Sequence, residues 1–202
     1  MSHPLVLAAG RATRLLFGAV LLAGCSSLTQ VPDAGPVSRS QLASFTLDGR
    51  FSLNQGDTNY SGRLSWRHEN VRNVLLISSP LGQGIAEIST DASGARLVTA
   101  DGQQRFAANA ELLTQEVLGY PLPITRLTEW VRGQRHADDR SEVDEHGRAI
   151  RLRHEGWSVN YGYASDDPDA PPDRIFAESA GGLKLRLRID EWGGLPGGGQ
   201  NP

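Results

Sequence analysis

From residue 45 to 54 apolar and polar side chains alternate: Phe45, Leu47, Phe51 and Leu53 fall on one side of the chain, and Thr46, Asp48, Arg50, Ser52 and Asn54 on the other. A half-buried strand accounts for this period of two and a helix does not. Gly49 falls among the apolar positions, which predicts a bend or bulge there. After a Gln55-Gly56-Asp57 turn the alternation resumes over residues 60–68, with Leu64 and Trp66 on one face and Arg63, Ser65 and Arg67 on the other. Residues 73–79 hold the unbroken run Val74-Leu75-Leu76-Ile77, the mark of a strand covered on both sides or of one whose outer face meets something apolar. Strands over 85–90, 95–100 and 104–107 follow at short, turn-punctuated intervals, an antiparallel meander.

The alternation then breaks. Asn109 is placed to cap a helix over residues 110–118, with Ala110, Leu113 and Val117 at helical spacing and Gly119 as its stop. Pro121 and Pro123 force an extended connector, and a second helix over 125–132 carries Leu127, Trp130 and Val131 on one stripe before Gly133. Strands return at 149–154, 157–163 and 174–178, and residues 183–190 show the cleanest alternation of all. About ten strands with a helical insertion after the sixth predict a mainly β fold, one curved antiparallel sheet with helices on its concave side. Periodicity leaves open whether the space between them is a packed core or a lipid-sized cavity.

The chain of 202 residues carries a formal charge of −3, and the first 24 residues contain Arg11 and Arg14, so losing those two cations takes the remainder to −5. That balance excludes a general basic surface for nucleic acid. The two arginines precede the uncharged run Leu15-Leu16-Phe17-Gly18-Ala19-Val20-Leu21-Leu22-Ala23, the layout of an export signal. It is too short to span a bilayer, which takes roughly 20 residues. The run ends in Leu22-Ala23-Gly24-Cys25, which resembles the bacterial lipobox, and Cys25 is the only cysteine in the chain. The resemblance implies cleavage after residue 24, with N-acyl and S-diacylglycerol lipid on Cys25. Ser26 in place of Asp implies onward transport to the outer membrane. Residues 25–40 read as a lipidated N-terminus and flexible linker, 41–192 as the functional body, and 193–202 as a disordered Gly/Pro-rich tail.

A search of the body for reaction chemistry finds little. None of the five histidines stands in a His-x3-His or His-Glu-x2-His arrangement, and His136 with Asp138 and Asp139, like Asp144 with His146, reads as solvated loop charge rather than a metal site. No Gly-x-Ser-x-Gly elbow and no Walker loop is present, and Gly82-Gln83-Gly84 is not completed as a dinucleotide motif because Glu87 occupies the last glycine position. The expectation is a protein that is not an enzyme, without metal or cofactor beyond the lipid on Cys25. One loop stands apart: Ser79-Pro80-Leu81-Gly82-Gln83-Gly84 leaves Leu81 at a turn tip with no periodic partner. It either folds back on the sheet edge or stands exposed to meet a membrane or partner.

The lipobox, Phe45-x-Leu47-x-Gly49-Arg50-Phe51, Ser61-Gly62-x-Leu64-x-Trp66, Ser79-Pro80-Leu81-Gly82, Leu122-Pro123, Leu127-x2-Trp130-Val131-x-Gly133, Gly156-Trp157-x-Val159-x-Tyr161 and Leu183-x-Leu185-x-Leu187-x-Ile189-x2-Trp192 occur in this order. Together they resemble the outer-membrane lipoprotein receptor LolB family along nearly the whole body. That resemblance implies a half-open antiparallel β-barrel of about ten to eleven strands, covered by helices around a hydrophobic cavity. It implies a monomeric, periplasm-facing receptor, lipid-anchored in the outer membrane, which accepts triacylated lipoproteins from the periplasmic carrier LolA and inserts them into the inner leaflet without nucleotide. Leu81 carries over as the apolar tip that delivers acyl chains to the leaflet. Leu64, Trp66, Trp130, Trp157, Tyr161, Leu185 and Leu187 are the candidates for the cavity lining, since aromatics and leucines line apolar pockets. Arg50 and Arg63 are candidates for the mouth. The alternatives are a structural or envelope-assembly lipoprotein with a packed β-sandwich body, and a periplasmic hydrolase with a pKa-perturbed polar cluster in its cleft.

Overall fold

The computed structural model describes residues 37–195. The export signal, Cys25, the first part of the linker and the last residues of the tail lie outside the described residues. Eleven strands form a single sheet: β1 (Phe45–Gln55), β2 (Thr58–Glu69), β3 (Arg72–Ser78), β4 (Gly84–Asp91), β5 (Gly94–Thr99), β6 (Gln104–Ala107), β7 (Arg140–Val143), β8 (Ala149–His154), β9 (Trp157–Gly162), β10 (Arg174–Ser179) and β11 (Lys184–Gly194). Their order is β6-β5-β4-β3-β2-β1-β11-β10-β9-β8-β7, antiparallel throughout. Every neighbour is a sequence neighbour except β1 with β11, so the chain folds as two meanders joined at that pair. The edges β6 and β7 do not pair with each other, and the barrel stays open. One sheet covered by helices replaces the two packed sheets that a β-sandwich would require.

The insertion after β6 holds α1 (Ala110–Leu118) and α2 (Ile124–Trp130). The Asn109 side chain accepts the Leu112 N–H at 2.8 Å and Gly119 closes α1 in the left-handed conformation, its N–H bonded to the Gln115 carbonyl. Both helices lie on the inner face, where Leu113, Leu127, Trp130 and Val131 join Trp66, Leu75, Leu97, Leu152 and Leu187 of the sheet in one core. Among the described residues the two hydrophobic clusters run from Val37 to Trp192.

At one end of the sheet a buried polar network fixes the register. The Asn73 side-chain oxygen accepts from Trp66 Nε1 at 3.0 Å and from His68 Nδ1 at 2.9 Å, while its Nδ2 donates to Thr90 Oγ1 at 3.0 Å. Three strands are thereby tied by groups that would cost free energy if any slip left them unpaired. Burial pushes the His68 imidazole pKa down, which favours its neutral form.

The structure differs from the sequence expectation at three places. β7 occupies a stretch read as polar loop, and all four of its residues are exposed, so an edge strand here has no apolar side to announce it. Gly193 and Gly194 belong to β11 and not to the tail, pairing with Thr46 and Phe45, and Trp192 packs edge-on against Phe45 with ring centroids 5.4 Å apart. Arg39–Gln41 forms a short 3₁₀ turn capped by Ser38, and Arg39 bonds the backbone of Pro168 and Asp169, so the body begins before residue 41. The irregularity lies opposite Gly49 on β11, where Asp190 is the extra residue of a β-bulge between the pairs Asp48–Glu191 and Gly49–Ile189, and a Cβ on Gly49 would run into the Arg188 carbonyl oxygen.

Candidate functional site

Alternation sends Phe45, Leu47, Phe51 and Leu53 of β1 to the inner face, with Leu64 and Trp66 of β2, Leu75 and Ile77 of β3, Tyr161 of β9, and Leu185 and Leu187 of β11. Burial along this face is graded. At the end holding the Asn73 network, Phe45, Leu47, Trp66 and Leu75 are sealed. Toward the end where the β1–β2, β3–β4 and β10–β11 hairpins turn, Phe51, Leu64, Ile77 and Leu185 are only half-buried. The α1–α2 connector, held extended by Pro121 and Pro123, crosses this half and contributes Tyr120 to a small second cluster with Leu53 and Leu183. Leu118 and Leu122 flank that cluster and are half-buried as well.

The seven lining candidates therefore separate. Trp66, Trp130 and Leu187 are part of the main core, Trp130 at 1 % exposure and stacked at a tilt on Trp157 with centroids 5.6 Å apart. Leu64, Trp157, Tyr161 and Leu185 sit at its half-buried margin. Phe51, Ile77, Leu118 and Leu122, which the sequence did not single out, share that margin, and the buried Tyr120 lies beside it. Three polar atoms beside this margin, Tyr120 Oη, Tyr161 Oη and Trp130 Nε1, are buried without a hydrogen-bond partner among the described residues. Buried donors without partners are uncommon in folded proteins. Burial pushes both phenol pKa values up, so neither carries charge at neutral pH.

Leu81 sits at the tip of the β3–β4 turn and is 98 % exposed. The Gly82 N–H donates to the Ser79 carbonyl, the Ser79 N–H to the Gln83 carbonyl, and Gly82 takes a φ of +88°, which favours glycine. The turn is thus held by its own backbone, independent of the leucine it presents. Arg50 and Arg63 lie on the outer face and not at the inner margin; they are direct cross-strand partners. Asp138, Asp139 and His154 converge within 4.8 Å, and Arg126 fills their neighbourhood: its Nη2 lies 3.2 Å from the nearly inaccessible Asp139 carboxylate and 2.9 Å from His154 Nδ1. Asp144 is engaged with Arg148 at 2.8 Å and with the backbone N–H groups of His146 and Arg148. Among the described residues no helix is long and apolar enough to cross a membrane.

The family model described as Outer membrane lipoprotein LolB matches residues 43–192, most of the chain. The chain belongs to the LolB family. It is 39 % identical over 187 residues to the outer-membrane lipoprotein LolB of Dechloromonas aromatica (strain RCB), covering 90 % of this chain and 97 % of that one. To the LolB of Nitrosomonas europaea it is 37 % identical over 155 residues, covering 74 % of this chain and 73 % of that one. The fold is shared with a solved outer membrane lipoprotein-sorting protein domain from Vibrio parahaemolyticus, with a TM-score of 0.51 at 10 % identity over 78 % of this chain and 88 % of that chain. LolB is a lipoprotein-trafficking family and not an enzyme family, and membership makes the chain an outer-membrane lipoprotein with a receptor role.

Proposed function

We propose that this protein takes up the acyl chains of lipoproteins delivered by the periplasmic carrier LolA and releases them into the inner leaflet of the outer membrane. The observation that carries the proposal is a coincidence in the sheet: the half-buried Ile77 of the apolar inner margin lies on β3 just before the turn presenting Leu81. Acyl chains leaving that margin meet an apolar tip already directed outward.

The energetics require a shielded handover. Three acyl chains hold on the order of 40 methylenes at roughly 0.8 kcal/mol each, so exposing them to water costs tens of kcal/mol. With no nucleotide motif in the chain, direction comes from an affinity gradient, the receptor holding the chains more tightly than the carrier and the bilayer more tightly than the receptor. Half-buried Leu64, Trp157, Tyr161 and Leu185 form the first contact, while Trp66, Trp130 and Leu187 are reached as chains wedge between helices and sheet. The unpartnered Tyr120, Tyr161 and Trp130 donors suit the ester and amide carbonyls of a lipidated cysteine. Cys25 carries the anchor.

A photoreactive benzoylphenylalanine in place of Trp157 tests the uptake step. It is expected to cross-link a triacylated lipoprotein and not its unacylated form, whereas the same residue in place of the exposed Phe106 on β6 cross-links neither. Equal yields at the two positions, or cross-linking indifferent to acylation, would support instead a packed envelope lipoprotein whose interior admits no lipid.

A further inference from the structure

The outer face of the sheet carries a feature that the fold alone does not call for. Arg63 of β2, Arg50 of β1, Arg188 of β11 and Arg174 of β10 are successive cross-strand partners, four guanidinium groups abreast on adjacent strands. Strands lie 4.7–4.9 Å apart, so the row spans about 14 Å. Like charges directly opposite one another disfavour strand pairing, and this sheet places them so three times in succession. Arg186, one position along β11 from Leu187, adds a fifth cation on the same face and lies over the Phe176 ring at 5.2 Å.

Two carboxylates answer these five charges. Asp190 accepts a bidentate pair from Arg50 at 2.7 and 3.0 Å and lies 3.8 Å from Arg188, and Asp173 lies 3.4 Å from Arg174. Among the described residues no carboxylate lies within 4 Å of the Arg63 or Arg186 guanidinium. A groove of about 570 Å³ is lined by Arg50, Arg174, Arg186 and Arg188 together with Phe176. The patch is an excess of positive charge on a body whose overall charge is negative.

Its position is what gives the row meaning. Arg63 pairs with Ser78, the last residue of β3, and its Nε donates to the Pro80 carbonyl at 3.4 Å, so the row starts against the Leu81 turn. Leu76, which the unbroken run 74–77 left without an assigned face, stands 46 % exposed on the outer side beside the same turn. Farther from the turn Asp48 and Glu191 face one another across β1 and β11, and beyond them Arg67 of β2 lies 3.5 Å from Glu69. The five arginines lie at the Leu81 end of the outer face, where Glu87 of β4 stands opposite Leu76, and Asp48 with Glu191 forms an acidic stretch beyond them.

We infer that this arginine row is a docking surface for the phosphate-bearing headgroups of an anionic phospholipid leaflet, aligning the receptor so that Leu81 enters the membrane. The inference rests on the delivery role proposed for Leu81. Arginine guanidinium groups take phosphate oxygens in a fork, and cations within a Debye length of about 8 Å of an anionic surface act together. Each contributes about a fivefold increase in membrane affinity near the surface. The acidic stretch repels the same surface, which leaves one orientation favoured.

The test uses the unacylated body, residues 26–202, and sedimentation with vesicles of phosphatidylcholine alone or with one third phosphatidylglycerol. The wild-type body is expected to bind the anionic vesicles, to release with added salt, and to ignore the neutral ones. Combined Arg63→Gln, Arg174→Gln and Arg188→Gln substitutions lower that binding by at least tenfold. The charge-matched set Arg72→Gln, Arg96→Gln and Arg105→Gln, away from the row, changes it less than threefold. Equal loss in both sets, or equal wild-type binding to both vesicles, would overturn the inference. Unchanged vesicle binding with lost acceptance of cargo from a loaded carrier would also overturn it, and would assign the row to a protein partner. Transfer from carrier to receptor in vesicle-free solution reads the proposed function separately: if that transfer fails, the receptor role fails whatever the vesicles show.

Discussion

Leu81→Glu is expected to abolish release of bound lipoprotein into membranes while leaving its acceptance from the carrier intact. The side chain is 98 % exposed at a turn held by backbone hydrogen bonds of Ser79, Gly82 and Gln83, so no packing is lost and the change in stability stays within about 0.5 kcal/mol. What changes is the tip presented to the leaflet. A leucine partitions into the headgroup–acyl boundary, whereas a glutamate is repelled by an anionic surface and costs desolvation to bury. Cargo distribution after transfer, followed by flotation with vesicles, is predicted to show less than a tenth of the wild-type yield in the membrane, with the remainder held on the receptor. An unaltered thermal midpoint confirms the intact fold. Normal delivery by this variant would remove Leu81 from the mechanism.

The second large effect concerns Cys25, the sole cysteine. A body exported behind a conventional cleavable signal peptide and carrying Cys25→Ala is expected to move almost entirely from the membrane to the soluble periplasmic fraction. A single acyl chain anchors marginally, and more than one is needed for stable attachment, so loss of the whole lipid removes the dominant attraction. What remains is the contribution of the arginine row, which salt dissolves. Retention that resists both the substitution and high salt would mean that another segment holds the protein in the membrane.

Much of the fold was legible because one face of most strands is buried. Alternation in β1, β2, β9 and β11 shows in the sequence for that physical reason, and Gly49 marked the place of a bulge whose extra residue, Asp190, lies on the partner strand. β7 was not legible, since an edge strand exposed on both sides has no reason to alternate, and neither were Gly193 and Gly194, which have no side chains to show a face. The run 74–77 offered two explanations, and only the neighbouring strands decide between them: Leu75 points into the core and Leu76 points out.

The candidate site was legible in kind and not in detail. Periodicity assigns Trp66 and Leu64 to the same face but carries no information on which of them the helices cover. That depends on where the 118–123 connector crosses, and so on tertiary packing. The separation of sealed Trp130 from half-buried Trp157 has the same origin. Arg50 and Arg63 were visible as single residues, but the row they begin exists only through the registers of β1 with β2 and β11, and of β11 with β10. For Leu81 the sequence showed a turn tip without a periodic partner and left open whether the side chain folds back; the structure places it 98 % exposed.

The most direct test of the receptor role is transfer in solution. The body, residues 26–202, is mixed without nucleotide with the LolA carrier loaded with a triacylated lipoprotein, and the two proteins are separated to see which holds the cargo. The affinity gradient predicts that most of the cargo moves to the receptor, and that unacylated cargo does not move. Cargo that stays on a carrier able to load another member of the LolB family would contradict the account and leave a lipid-anchored protein with a closed core.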